Sequence, residues 1–267
     1  MSPDGHAGAP RTGLEQRQGR GLPWEVISPA LLILVWQVLA MMFPGRLFPT
    51  PIAVAQQLWT FTVSGKLLAD MGKTLGRAAI AFTVAMVIGS AIGILMGRVR
   101  LVDRLFASWV IVGLNLPAIV IAIVLYIWLG LTEFALILAV IVNKVPLVIT
   151  TVREGVRSFS SDYDELAQAF RMRLSRRLRL IFWPQLVPYL LAAARTGLSL
   201  VWKIVLVFEV IGSDGGVGFR ISELFQFFDI KGILAYTTAF ILVVLVFEYG
   251  IMRPLERNVL KWRTDRT

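Results

Sequence analysis

The 267-residue chain is 57% hydrophobic and only 16% charged, with a mean hydropathy of +0.72. This is above the roughly half-apolar balance of soluble domains and indicates a polytopic membrane protein. Cysteine is absent and His6 is the single histidine, which excludes disulfides and leaves almost nothing for a metal site. The net charge of +10 does not indicate a nucleic-acid partner, because the basic residues fall in separate segments that match a membrane-topology signal.

In chain order, the first segment is residues 1–24, rich in Gly, Pro, Arg and Gln. It carries too little apolar surface to fold alone and is predicted to be a disordered cytoplasmic tail. Residues 25–263 are predicted to form one all-α domain with six membrane-spanning helices, since a bilayer requires about twenty mostly apolar residues per helix. The six windows are 26–43, 76–97, 105–128, 133–152, 188–212 and 233–252, and residues 264–267 form a C-terminal tail.

The lysines and arginines predict the orientation of these spans. With the N-terminus in the cytoplasm, the inner segments hold about three times as many basic residues as the outer segments. Both termini are therefore expected in the cytoplasm, and residues 153–187 become the longest cytoplasmic loop.

Two spans carry features with a structural interpretation. Gly89, Gly93 and Gly97 repeat at every fourth residue, a spacing that lets helices pack closely. Asn115 and Pro117 in the third span have two interpretations. The favoured one is a kink whose freed carbonyl is satisfied locally, and the other is a ligand site.

The loop 153–187 contains a predicted amphipathic helix. Ser161 and Asp164 have the spacing of a capping box, which predicts a helix start at this point. The apolar residues that then recur at helical spacing are Tyr163, Leu166, Ala167, Phe170 and Leu174. Such a helix either lies on the inner leaflet, with arginines near anionic headgroups, or docks into a groove of a soluble partner.

The same stretch resembles the cytoplasmic loop of ABC-importer permeases, whose signature reads E-A-A, three residues, G, nine residues, then I-x-L-P. Glu165, Ala167, Ile181 and Pro184 fall on this register. Leu166, Arg171 and Trp183 replace the usual Ala, Gly and Leu, respectively. Since that glycine normally allows the turn after the docking helix, Arg171 predicts that the helix runs on or turns differently.

Three further stretches are similar to segments of the same family: "NLPAIVIAIVLYIWLGLTEFALIL", "ARTGLSLVWKIVLVFEVIG" and "GVGFRI". The resemblance covers about residues 30–263 and is strongest to the nitrate, taurine and aliphatic-sulfonate branch. It implies the type I importer architecture: six spans, a cytoplasmic coupling helix over residues 161–175, and a location in the bacterial cytoplasmic (inner) membrane.

The resemblance also implies partners. These are a second permease chain, expected to be identical, two cytoplasmic ATPase subunits and an external or periplasmic solute-binding protein. The sequence has no G-x-x-x-x-G-K-[ST] loop for nucleotide phosphates. ATP and Mg²⁺ are therefore expected in the partner ATPase, with no cofactor or enzymatic activity in this chain. An enzyme is also disfavoured because every Asp falls in a predicted loop or tail.

Residue roles follow from the same resemblance. The residues expected to contact the ATPase are Tyr163, Glu165, Leu166, Ala167, Phe170, Arg171 and Pro184. Gly216 and Gly218 are expected to shape an outer turn beneath the binding protein. The following segment predicts a short interfacial helix with Phe225, Phe227 and Phe228 at headgroup depth.

Charged residues within spans are costly and indicate function or pairing. The candidates for the solute pathway are Asn115, Asn143, Lys144, Lys203 and Glu209. Two lysines near mid-depth favour a small anion such as nitrate, taurine or an aliphatic sulfonate. The alternative is that these lysines pair with Glu209 or Glu248 or lie at a dimer contact.

Other solutes stay open, among them thiamine-precursor pyrimidines, aromatic acids, bicarbonate and cyanate. A secondary transporter is less favoured, because the sequence shows no internal repeat.

Overall fold

The computed structural model describes residues 24–43, 45 and 47–256. Within these residues the chain is helical and contains no strand. The helices are α1 (Trp24–Met42), α2 (Pro51–Val63), α3 (Lys66–Arg98), α4 (Arg100–Asn115), α5 (Ala118–Leu129), α6 (Glu133–Arg157), α7 (Ser161–Ala169), α8 (Leu174–Gly212), α9 (Val217–Gln226) and α10 (Ile230–Glu256). The tails predicted for residues 1–24 and 264–267 lie outside the described residues, except that Trp24 begins α1.

Several helices begin at residues whose side chains satisfy free backbone amides of the first turn. Thr50 accepts a hydrogen bond from the Ala53 amide at 3.2 Å, and Pro51 occupies the first turn of α2. Thr132 caps α6 and Asp229 caps α10 in the same way. Such caps fix the point at which each helix starts.

Among the described residues, four helices are long and apolar enough to cross a membrane: α3, α6, α8 and α10. The pair α4 and α5, bent by 96°, makes a fifth if it is counted as one span. The window predicted at 26–43 corresponds to α1. Its apolar part, Ile27–Met42, is shorter than the four helices that are long enough to cross a membrane. Two spans begin earlier than predicted, since α3 starts at Lys66 and α8 at Leu174, and α2 falls outside every predicted window.

The long helices have a simple directional arrangement. Arg77 near the start of α3 contacts Glu133 at the start of α6 and Glu209 near the end of α8. At their other ends, Arg98 of α3 lies over Phe182 near the start of α8. Helices α3 and α6 therefore run in the same direction and α8 runs opposite. We name the two ends of the bundle the α7 end and the Glu209 end.

Helices α3 and α6 pack so closely that only glycine, which has no side chain beyond hydrogen, fits at the contact positions of α3. A methyl group at Gly89 would lie 2.6 Å from Val148 Cβ, and one at Gly97 would lie 2.7 Å from Val156 Cβ. The contact residues follow in the same order along both helices, from Gly89 to Gly97 in α3 and from Val148 to Val156 in α6, so the two helices are parallel. The packing interpretation of Gly89, Gly93 and Gly97 is confirmed.

The third predicted span is broken at the expected position. Helix α4 ends at Asn115, residues Leu116 and Pro117 are extended, and α5 begins at Ala118. Asn115 Nδ2 donates to the Ile111 carbonyl oxygen at 2.8 Å. The kink is therefore confirmed. Asn115 bonds to Ile111 and not to the Gly113 carbonyl that Pro117 frees, so the local satisfaction of the freed carbonyl stays a prediction.

Candidate functional site

Helix α7 projects an apolar surface away from the bundle. Tyr163, Leu166 and Phe170 are exposed, Phe170 by 74%, whereas Ala167 is only 3% exposed. Ala167 therefore packs against the chain, and the other three residues remain available to a partner. Glu165, on the same helix, is also exposed.

The cap of α7 differs from the one predicted. Ser160 is the capping residue, and its Oγ accepts from the Asp162 amide at 3.3 Å. Ser161 is the first residue of the helix. The capping box predicted from Ser161 and Asp164 therefore placed the capping residue one position too late in the chain. The side chains of these two residues lie outside the described part of the chain.

The helix ends where the glycine of the family signature would stand. The Arg171 amide donates to the Gln168 carbonyl at 3.0 Å, and the Met172 amide donates to the Ala167 carbonyl at 2.9 Å. Arg171 has φ of +46°, so an arginine adopts the left-handed conformation that glycine usually supplies in a Schellman turn. The expectation that the helix runs on through residue 175 is wrong, and Leu174, counted in its stripe, belongs to α8.

The segments before and after α7 both contact the bundle and so anchor this helix. Phe159 and Phe182 pack edge to face with ring centroids 5.4 Å apart, and Arg98 lies 4.8 Å from the Phe182 centroid. Pro184, half-buried, follows the π-helical segment Leu178–Phe182 near the start of α8. Contacts at the α7 end thus link α3, the end of α6 and the start of α8.

At the other end, Glu209 lies at the centre of a buried polar cluster. Its carboxylate, 0% exposed, accepts from Thr74 Oγ1 at 2.9 Å, Arg77 Nη1 at 2.9 Å and the Gly218 amide at 2.9 Å. Arg77 also pairs with Glu133 at 2.7 Å and Asp214 at 3.0 Å. Glu209, predicted as a pathway candidate or a partner of the lysines, joins α3 to the start of α9 through these bonds.

The glycines of the predicted outer turn allow this arrangement. Gly216 has φ of +104°, and a methyl group there would lie 2.4 Å from Glu209 Oε1. A methyl group at Gly218 would lie 2.3 Å from the Leu206 carbonyl oxygen. The backbone of the turn therefore approaches the carboxylate closely, and the Val217 amide donates to Thr74 Oγ1 at 2.8 Å.

A second polar group lies beside this cluster. Asp70 is buried in α3, where it accepts from Tyr236 Oη at 2.8 Å and Arg220 Nε at 3.1 Å. Burial acts to lower the pKa of Arg220, but the hydrogen bond and the charge of Asp70 raise it above its ordinary value. The sequence-based statement that every Asp falls in a loop or tail is wrong for Asp70.

The two mid-span lysines differ in their surroundings. Lys144 is 2% exposed, next to half-buried Asn143, and makes no ion pair or hydrogen bond with a described residue. Lys203 is exposed on α8 and is likewise unpaired within the described part of the chain. Neither lysine pairs with Glu209 or Glu248.

Glu248 lies instead near Arg195, whose Nη2 is 3.5 Å from its carboxylate and whose Nη1 is 2.8 Å from that of Glu256.

The exposed face of α8 carries polar residues over two turns of helix. Arg195, Ser199 and Lys203 follow at i, i+4 and i+8 and border a cleft of about 520 Å³ between α8 and α10. Trp202 and Phe240 form part of its apolar wall. Asn115, the remaining pathway candidate, is exposed on α4 and bonds to its own helix, away from this cleft.

Sequence reasoning missed the partners of Glu209. Thr74 lies before the predicted second span and Arg77 is the second residue of that span, but with Asp70 they follow at i, i+4 and i+7 in α3. That spacing of polar residues on one helical face was the signal that could have identified them.

Phe225, near the end of α9, and Phe227 and Phe228, which follow the helix, are all exposed. Phe228 has φ of +53°, at the turn between α9 and α10.

Taken together, a bundle of long apolar helices with an exposed helix at one end defines a multi-pass membrane transport component. Residues 85–259, well over half of the chain, match the family described as "Binding-protein-dependent transport system inner membrane component". The chain belongs to this family. Its members are membrane components of transport systems rather than enzymes, and the chain is a multi-pass inner-membrane protein.

Relatives and solved structures agree with this assignment. The chain is 25% identical to the putative aliphatic sulfonates transport permease protein SsuC of Bacillus subtilis (strain 168), over 90% of this chain and 87% of that protein. It is 28% identical to the riboflavin transport system permease protein RibX of Chloroflexus aurantiacus, over 92% and 91% of the two chains.

The methionine ABC transporter MetNI, in an inward-facing conformation, matches in structure with a TM-score of 0.63 and 17% identity. The match covers 72% of this chain and 95% of that chain. The predicted fold class, an all-helical type I importer permease, is confirmed.

Proposed function

We propose that the chain is the permease subunit of an ATP-driven importer with both termini in the cytoplasm, and that a separate ATPase drives it through α7. The observation that carries this proposal is the apolar surface of α7, formed by Tyr163, Leu166 and Phe170. An exposed apolar stripe on a short helix suits a groove on a soluble partner. The arginine-rich segments that follow α3 and α6 lie at the same end of the bundle, which fits a cytoplasmic face.

The anchoring of α7 supplies a route for coupling. Ala167 packs inward and the Schellman turn at Arg171 fixes the helix relative to α8. When two ATPase subunits close on Mg·ATP, a helix seated in each would move with them, and the attached α6 and α8 would tilt as rigid bodies. Glu165 is exposed and contacts the ATPase, and Pro184 keeps the start of α8 in place. Two copies of the chain form the pathway, and an external binding protein delivers solute at the Glu209 end.

The solute is proposed to be a small anion. Lys203 and Arg195 lie on the exposed polar face of α8, and a central lysine facing lipid costs about 2.5–3.5 kcal/mol on insertion scales. A water-filled pathway between two copies removes this cost. Lys144, buried in the same bundle, adds positive potential nearby, and the neutral amide of the half-buried Asn143 lies beside it.

The named relatives transport different solutes, sulfonates for SsuC and riboflavin for RibX. The same machinery with another solute therefore stays the alternative.

The docking proposal is tested by co-purification of the full-length chain with its cognate ATPase subunit. Replacing Phe170 by Ser removes the most exposed residue of the stripe, and burying a Phe side chain contributes roughly 1.5–3 kcal/mol. We expect Phe170→Ser to reduce ATPase recovery by at least about tenfold.

Phe227→Ser is the matched control, because Phe227 is 77% exposed, against 74% for Phe170, and lies beyond the far end of α8. Undiminished recovery with Phe170→Ser, or an equal loss with Phe227→Ser, contradicts the proposal.

A further inference from the structure

The cleft between α8 and α10 holds an acidic side chain beside its basic ones. Glu248 of α10 lines it together with Arg195 and Lys203 of α8, and it is the single acidic side chain among the described residues that do so. The rest of the wall is mostly apolar. A carboxylate at this position repels an anion, so the cleft favours anions only as far as this charge is compensated.

A π-helical turn in α10 brings two carboxylates to one arginine. Residues Glu248–Met252 are π-helical. In a regular α-helix, residues eight positions apart lie about 80° apart around the axis, and one extra residue in a π-helical turn reduces this angle to about 20°. Glu248 and Glu256 therefore share one face of α10, and both reach the guanidinium of Arg195.

The two carboxylates hold Arg195 unequally. Arg195 Nη1 donates to Glu256 at 2.8 Å, whereas Nη2 lies 3.5 Å from Glu248, beyond the ordinary hydrogen-bond range of about 2.7–3.2 Å. Both side chains of the longer pair are partly exposed, so their attraction is weak. Of the two acids, only Glu248 lines the cleft. Glu256 thus keeps Arg195 in place, and Glu248 can be exchanged for another anion.

Lys203 lies on the same line of α8 as Arg195, about 12 Å closer to the Glu209 end. It is unpaired within the described part of the chain, and the exposed Ser199 lies between the two basic residues. An anion that enters from the Glu209 end therefore meets the unpaired lysine first and the arginine with its loosely held partner second.

We propose that Glu248 is the exchangeable counter-ion of Arg195 and that it determines the charge selectivity of the cleft. An anionic solute replaces the carboxylate beside Arg195, and the carboxylate returns as the solute leaves toward the α7 end. Because the carboxylate competes with the anion for Arg195, the anion is not retained there. This inference rests on the proposed solute pathway along α8.

The absence of cysteine from the chain allows the selectivity to be measured with an unidentified solute. Ser199→Cys places a thiol between the two basic residues of the full-length chain in proteoliposomes. Its labelling rate is measured with sulfonatoethyl and trimethylammonioethyl methanethiosulfonate, one anionic and one cationic. The ratio of the two rates cancels differences in thiol ionisation and access, so it reports the local charge.

We expect Glu248→Gln to raise the anionic-to-cationic ratio by at least about fivefold, because the lost charge changes the energies of the two reagents in opposite directions. Lys203→Gln should lower the ratio by a similar factor. Glu248→Asp keeps the charge and should keep the ratio within about twofold. Ethanesulfonate, an unreactive anion, should halve the labelling rate at an about fivefold lower concentration in Glu248→Gln, since no carboxylate then has to be displaced.

The matched control is Glu223→Gln, which breaks another partly exposed pair of a carboxylate with an arginine, outside the cleft. An unchanged ratio in Glu248→Gln, an equal rise in Glu223→Gln or an unchanged effect of ethanesulfonate overturns the proposal and reduces Glu248 to a structural contact between α8 and α10. If Glu248→Gln is not recovered folded, Glu248→Ala is the second variant and should give the same rise.

Failure of this inference is distinguishable from failure of the proposed function. A ratio that responds to Lys203→Gln but not to Glu248→Gln leaves the pathway in place and removes only the role of Glu248. If neither reagent labels the thiol introduced by Ser199→Cys in any of these variants, the face of α8 is not in contact with water, and the proposed pathway fails together with this inference.

Discussion

At the scale of single residues, Glu209 and Arg77 show how charge is accommodated inside this bundle. Each is buried, and the carboxylate accepts three kinds of donor: a guanidinium, a hydroxyl and a backbone amide. The donors come from α3 and from the start of α9, so one side chain of α8 joins three segments. Burying both charges is costly, but removing only one leaves the other uncompensated.

We therefore predict that Glu209→Leu destabilises the chain by about 3–5 kcal/mol, because the charge of Arg77 then remains buried with only the exposed Glu133 and Asp214 as acidic partners. Unfolding of the detergent-solubilised chain, followed by tryptophan fluorescence, measures the loss. Arg77→Met added to Glu209→Leu should recover part of it. Arg195→Gln, which breaks a half-exposed pair, should cost below about 1 kcal/mol, and a Glu209→Leu effect no larger than this contradicts the argument.

Arg171 stands where the family signature has glycine, but its backbone still adopts the left-handed conformation that glycine usually supplies. The turn forms in spite of the side chain, so removing the side chain should relieve strain. We predict that Arg171→Gly stabilises the turn locally by about 1 kcal/mol. Hydrogen exchange of the amides that close it, Arg171 and Met172, should slow by about fivefold.

Arg173→Gly is the control, because Arg173 has φ of −61° and carries no such strain. It should leave the exchange of these amides unchanged or faster, and faster exchange in Arg171→Gly would refute the assignment of strain.

The sequence allowed part of this residue-level picture to be predicted. The exposed stripe on α7 follows from local spacing, which a single sequence displays, and the glycines of the outer turn were implied by the family resemblance. The partner of Glu209 could not be predicted in the same way, since Arg77 is distant from Glu209 in the chain. Pairings across a bundle depend on how helices rotate about their axes, and local periodicity does not determine that rotation.

At the scale of helices, the contact between α3 and α6 sets the spacing of the bundle. That the chain forms a long helix in each of these two regions was predictable from the long apolar windows. The ends of these helices were not, because α3 begins at Lys66, before the predicted window, and this added part includes the polar but buried residues Asp70 and Thr74. The bend between α4 and α5 was predictable, since proline disfavours a continuous helix at a known position.

Gly93→Ala tests this close contact. Its added methyl group would lie 2.9 Å from both the Ile149 carbonyl oxygen and Val152 Cβ, so α3 must move away from α6. Overpacking of this kind costs about 1–3 kcal/mol, measurable as a lower unfolding midpoint in detergent. Gly72→Ala in the same helix meets nothing within 4 Å and should be neutral or slightly stabilising. Equal midpoints for the two variants would show that the α3–α6 contact is looser than the structure indicates.

At the scale of the whole molecule, the bundle presents two kinds of exposed surface along its length. Most exposed positions on the long helices are apolar, as lipid contact requires, for example Val87 on α3 and Val246 on α10. The exposed face of α8 is different, because it carries Arg195, Ser199 and Lys203. This face is open in the described part of the chain, which fits the proposed pathway between two copies, because the charges would otherwise meet lipid.

The absence of cysteine from the chain makes this arrangement directly testable. A single cysteine introduced as Lys203→Cys should react rapidly with a charged, membrane-impermeant thiosulfonate in proteoliposomes, because only a thiolate in water is reactive. Val87→Cys, exposed on an apolar face of α3, should react at least about a hundredfold more slowly, since ionisation in hydrocarbon is strongly disfavoured. Comparable slow rates at both positions would place the α8 face against lipid or protein and remove Lys203 from the pathway. Rapid labelling of Lys203→Cys alone would place the water-filled route beside α8, where the charges of Arg195 and Lys203 favour anions.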